Sequence, residues 1–122
     1  MTGTATALNS FFGSFAIPAY VTDNIPDNVQ MPYITYDLIE PEPLAVGMLN
    51  ASVWYKSTSY TDISAKVDQI KAAIDNGVSL QTPSGAVYLF REREGAFARY
   101  MNDPNRETKR ALLSILIQCN TN

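Results

Sequence analysis

The chain has 122 residues, 46% hydrophobic and 17% charged, which excludes a disordered chain and fits a single domain over 1–122. A net charge of −3 argues against general affinity for nucleic acid, which needs clustered Lys and Arg to displace counterions. The absence of histidine excludes Ser-His-Asp and Cys-His nucleophile systems and the usual zinc sites, and the lone Cys119 excludes an intrachain disulfide.

Leu8, Phe11, Phe12 and Phe15 recur at i, i+3, i+4 and i+7, which predicts an amphipathic helix. Thr4 or Thr6 is placed to cap its start, and Pro18 helps to end it after Ile17. Residues 22–32, with Asp23, Asn24, Pro26, Asp27, Asn28 and Pro32, read as a loop. Residues 33–39 are β-branched and aromatic and predict a strand that Glu40-Pro41-Glu42-Pro43 stops. A second strand is expected over 49–57, antiparallel to the first.

Ile63, Val67, Ile70 and Ile74 predict a second helix, capped by Thr61 or Asp62 and stopped at Asn76-Gly77. A short strand over 78–82, a turn at Pro83-Ser84-Gly85 and a strand over 86–93 follow. Residues 97–101 suggest another short strand and 103–105 a turn. The last strand, 107–119, points Leu113, Ile115, Ile117 and Cys119 one way. Leu112 and Leu116 make its other face partly apolar too, so it is placed in mid-sheet. The expected fold is α+β, two helices packed on one mainly antiparallel sheet.

In residues 86–94, apolar alternation lasts to Phe90 and then gives way to charge on both faces. This predicts a strand leaving the core as a projecting β-hairpin arm, turned at Gly95-Ala96, with Phe97, Arg99 and Tyr100 returning.

Candidates for chemistry are few. Cys119 reads as a small core residue. No phosphate-cradling glycine loop occurs, so no cofactor is expected and no catalytic residue is assigned. Glu40 and Glu42 each precede a proline and read as a solvated, edge-breaking turn rather than an acid–base pair. The triplet Asn50-Ala51-Ser52 reads as a chance glycosylation match, because no secretion signal is visible. The apolar run 111–117 is too short to span a membrane, so synthesis in the cytosol is expected. Trp54 and the tyrosines at 33, 36, 55, 60, 88 and 100 lack interleaved Lys or Arg around Tyr33 and Trp54. They read as core and interface packing rather than base-stacking platforms.

Charge is unevenly distributed. Residues 1–55 carry five acids and no base, and residues 56–122 carry nine bases and seven acids. Such a split suits copies that meet head to tail. Interface candidates are Arg91, Arg93 and Arg99 with Glu92 and Glu94 on the arm, and Glu40 and Glu42 in the acidic half.

The order of motifs resembles the tail terminator (tail completion) proteins of long-tailed bacteriophages. It is carried by residues 12–21 (FGSFAIPAYV), 32–36 (PYITY), 52–55 (SVWY), the helical 62–74, 85–90 (GAVYLF) and 109–117 (KRALLSILI). The resemblance implies a homo-oligomeric, commonly hexameric ring at the tail–neck junction of a virion. Such a ring would cap the tail tube, meet neck or head-completion proteins, and let DNA through without reading it. The alternatives are a head–tail connector or other minor virion protein, a small-ligand or peptide-binding module with an aromatic pocket near Trp54 and Tyr36, and an enzyme using carboxylates alone.

Overall fold

The computed structural model describes residues 3–83, 85–91, 95–102 and 107–121. It contains helix α1 (Thr4–Phe12), continued by a 3-10 turn (Gly13–Phe15), and helix α2 (Thr61–Ile74). Seven strands accompany them: β1 (Ala19–Val21), β2 (Tyr33–Tyr36), β3 (Val46–Lys56), β4 (Val78–Thr82), β5 (Gly85–Phe90), β6 (Ala98–Asn102) and β7 (Thr108–Thr121). The α+β architecture expected from the sequence is present, as one sheet in the order β1-β2-β3-β7-β5-β4, with β6 also on β7. Among the described strands only the β1–β2 pair is parallel.

β7 organises the sheet. One edge pairs with β3 over Thr108–Gln118, and the other is shared between β5 and β6. Residues Ala111, Leu113, Ile115, Ile117 and Cys119 are buried on the face that meets the helices. α2 lays Ile63, Val67, Ile70 and Ile74 on β3 and β7. α1 touches both β1 and β4, so the sheet curls around it. Its Phe12 stacks on Tyr36 at 4.7 Å between ring centroids, and Phe11 meets Phe12 edge-on at 5.1 Å. Lys66 Nζ of α2 donates to the Phe15 carbonyl at 2.6 Å and ties the helices together.

Both helix caps differ from expectation. Gly3, not a threonine, occupies the α1 N-cap, with φ 90°. Thr4 is buried inside the helix, and its hydroxyl donates instead to Glu40 Oε1 at 2.8 Å. Tyr60 precedes α2, and neither Thr61 nor Asp62 caps it with a side chain. The α2 stop is as expected: Gly77 takes φ 81° and its N–H donates to the Ile74 carbonyl at 2.9 Å. The first helical segment ends at Ala16, which is left-handed, before Pro18 is reached.

Strand limits also shift. β1 lies between the expected end of the first helix and the loop over 22–32, where no element was expected. β2 ends at Tyr36 rather than 39, because Asp37 still donates to Asn50 but the chain then turns away. β3 starts three residues earlier than expected, at Val46.

The projecting hairpin is a larger correction. β5 and β6 both run antiparallel to β7, so they run in the same direction and are not a hairpin. Phe90 pairs with Leu116 and Ala98 with Leu113, so β5 and β6 follow one another along one edge of β7. Phe97 returns into the core, and its carbonyl accepts from Ser114 N at 2.9 Å. Tyr100 is sheet as well, against Tyr60 at 5.7 Å. The turn expected at 103–105 lies outside the described residues.

Candidate assembly surface

Because both helices lie on one face of the sheet, the other face has no layer over it. Side chains alternate along a strand, so the even-numbered residues of β7 point to this bare face. An antiparallel sheet normally sets polar residues there. Here a row of apolar side chains crosses three strands instead: Met48 of β3 is opposite Leu116 of β7, which is opposite Phe90 of β5. Met48 is 43% exposed and Val46 beside it 54%. Gln118 lies between Val46 and Tyr88 in the next row. Its Nε2 donates to the Leu44 carbonyl at 2.9 Å, holding the 68% exposed Leu44 at the margin of the patch.

Further along the same face an aromatic ladder runs across strands. Tyr20 of β1 meets Tyr33 of β2 at 6.1 Å, and Tyr33 meets Trp54 of β3 at 6.2 Å. Arg110 of β7 lays its guanidinium 4.6 Å from the Trp54 ring, a cation–π contact. Arg110 Nε donates to Ser52 Oγ at 3.1 Å, and Trp54 Nε1 donates to Thr35 Oγ1 at 3.0 Å. These bonds leave the indole and guanidinium fixed and half-exposed. Lys56, in register with Thr108, and Arg99, in register with Leu112, add two exposed bases to this face. Among the described strand residues, no acid points to it.

The acids gather elsewhere. Thr22 Oγ1 donates to Asp37 Oδ1 at 3.1 Å and Thr22 N to the Tyr36 carbonyl, bringing the loop after β1 beside the segment after β2. Asp23 follows Thr22 beside Asp37, Asp27 lies further along the loop after β1, and Ile25 of that loop and Leu38 next to Asp37 are exposed. Glu40, near α1 through Thr4, and Glu42, exposed in its turn, lie further along the same segment.

The interface candidates read from the sequence divide accordingly. Arg99 lies on the bare face. Arg91 does not: its Nε lies 2.6 Å from Asp75 Oδ1, just past α2, as an ion contact without the alignment of a hydrogen bond. It ties the end of β5 to the residue that follows α2. Glu92, Arg93 and Glu94 lie outside the described residues. Lys56, Arg110, Met48 and Val46 were missed. The available signal was the apolar second face of β7, read in the sequence as a sign of burial in mid-sheet.

Other sites offer less. The aromatic pocket near Trp54 and Tyr36 does not form, because Tyr36 is buried beneath α1 and Trp54 is on the opposite face. A groove of about 560 Å³ between α1 and β4, bordered by Thr6, Ala7, Ser10, Leu80 and Gln81, contains no ionisable side chain in its lining. Cys119 is buried in the core, and burial pushes its thiol up from the ordinary value, with the charge of Glu40 adding to the effect. Among the described residues no group of three or more acids and cysteines comes close enough to hold a metal, and no helix is long and apolar enough to cross a membrane.

No family model and no curated protein matches the chain. Among solved structures it shares its fold with a chain from the virion of a native gene transfer agent particle. The two are 16% identical, with a TM-score of 0.61 over 96% of this chain and 97% of the other.

Proposed function

We propose that this protein is a structural subunit of a phage-like virion, and within that class a tail terminator. It would form a ring, hexameric by the sequence resemblance, that closes the tail tube and gives neck proteins a surface to join, with DNA passing through unread. The observation that carries this reading is the end-to-end likeness to a virion chain. The surface chemistry agrees with it. The face with exposed aromatic and aliphatic side chains is one that a monomer would cover with polar residues, and patches of this kind mark sites of association. Its bases and the acids of the β1–β2 edge are on different surfaces, as head-to-tail contacts require. The protein works by assembly in this reading, not by catalysis. Nucleotides, divalent metals and chelators should leave its melting temperature unchanged, and a reproducible shift with any of them would count against it.

The direct test is electron microscopy of the purified protein, alone and mixed with tail tubes. Rings, or density closing one tube end, are expected. A monomer that binds no tube end would refute the terminator role. Binding to portal or neck proteins without tubes would favour the connector reading instead.

A further inference from the structure

The self-assembly reading names no surfaces, and the structure supplies two that match. We infer that the bare face of the sheet is the docking site for the acidic β1–β2 edge of a second copy of this chain. The inference rests on that reading of self-assembly and adds which surfaces meet.

The two surfaces are complementary. The face offers Lys56, Arg110 and Arg99 at its Trp54 end and the apolar row of Met48, Leu116 and Phe90 further along the strands, with no acid among its described strand residues. The edge and its loop offer Asp23, Asp27 and Asp37 together with the exposed Ile25 and Leu38, with no base among residues 1–55. Each surface therefore combines exposed apolar side chains with charge of one sign, and the signs are opposite. Two copies docked face to face would set bases against bases, a like-charge arrangement that an interface rejects. Two copies docked edge to edge would set acids against acids. Only edge on face satisfies both. That contact uses two different patches on each subunit, so it is heterologous and turns each copy relative to the last. Such contacts close into a ring when the rotation divides the circle. Trp54 is held ready for this, since its ring is fixed by Thr35 and Arg110 and loses little freedom on docking.

The test uses paired charge reversals at exposed positions. Lys56→Glu with Arg99→Glu makes the face acidic, and Asp23→Lys with Asp27→Lys makes the edge basic. Each variant alone should raise the concentration needed for assembly by at least about tenfold, read by light scattering on full-length protein. An equimolar mixture of the two should assemble again, because each repelling surface then meets its opposite on the other variant. The milder Lys56→Gln with Arg99→Gln should show a smaller loss, and thermal unfolding should match wild type throughout. The chain's sole tryptophan, Trp54, should become shielded from acrylamide quenching as wild type assembles.

If wild type assembles and both variants assemble equally well, or if the mixture fails to recover, these are not the surfaces, although self-assembly stands. If wild type stays monomeric with and without tubes, the self-assembly reading falls and takes this inference with it. If a single-stranded oligonucleotide of about 20 bases binds wild type but not the acidic-face variant, while assembly survives, the face serves nucleic acid and the inference is overturned.

Discussion

Ile70 lies at the centre of the α2 face, fully buried against β3 and β7 with Ile63, Val67 and Ile74 around it. Ile70→Asp removes a side chain whose burial contributes about 1.5–3 kcal/mol. The carboxyl that replaces it has no partner there, and at pH 7 it would take up a proton rather than stay charged. Neutralising an ordinary aspartic acid three pH units above its own pKa costs about 4 kcal/mol. Leaving its hydroxyl without a hydrogen bond adds about 1–3 kcal/mol. The total is about 7–10 kcal/mol, comparable to the whole stability of a domain this size. Ile70→Ala, which leaves only a cavity, should cost about 2–5 kcal/mol and remain folded. The gap between the two variants should narrow by about 1.4 kcal/mol per pH unit on acidification toward pH 4, because protonation becomes cheaper. Urea unfolding followed by circular dichroism at several pH values measures all of this. A soluble Ile70→Asp protein with cooperative unfolding close to wild type would show that α2 does not cover the sheet.

Three further outcomes are expected. Arg91→Ala and Asp75→Ala should each lose about 0.2–1 kcal/mol, and the double mutant should show the pair to be coupled, because the contact is partly solvated; additive losses would mean the 2.6 Å approach contributes nothing. Gly77→Ala should cost about 1–2 kcal/mol, since φ is 81° and the added Cβ would meet only the Leu89 carbonyl oxygen at 4.0 Å; a neutral result would place the α2 stop elsewhere. Burial raises the pKa of Cys119, Tyr36 and Tyr55, the last with help from Asp62. The unfolded chain therefore releases these protons first as pH rises, binds fewer than the folded chain, and stability falls. Calorimetry should show the decline beginning near the unfolded thiol value of about 8.5 and steepening near about 10. Cys119→Ala should remove the earlier part, and an unchanged profile would mean the thiol is not held in the core.

Much of the fold is legible along the chain because helical and strand periods are local. Ile63, Val67, Ile70 and Ile74 mark α2 within a residue or two of its limits, and the run at 78–82 coincides with β4. The alternation of Leu113, Ile115, Ile117 and Cys119 identifies the core face of β7 and its central place. The acidic first half and basic second half are likewise read directly from composition, as is the absence of histidine.

What the sequence could not decide was which strands meet and which face the helices cover. β1 has three residues and exists because β2 offers it a parallel partner. The segment read as a hairpin arm is divided because β7 is long enough to hold β5 and β6 end to end on one edge, and that pairing involves residues with no local mark of it. Arg110 and Trp54 are 56 positions apart in number, so no spacing in the chain shows that an arginine lies on the indole. Tyr36 and Trp54, grouped in the sequence as one aromatic pocket, face opposite ways because β2 and β3 pair Tyr33, not Tyr36, with Trp54. The apolar second face of β7 was visible from Leu112 and Leu116, but local pattern is the same whether a helix or a neighbouring molecule covers it. Only the packing of α1 and α2 together on the opposite face leaves this one open.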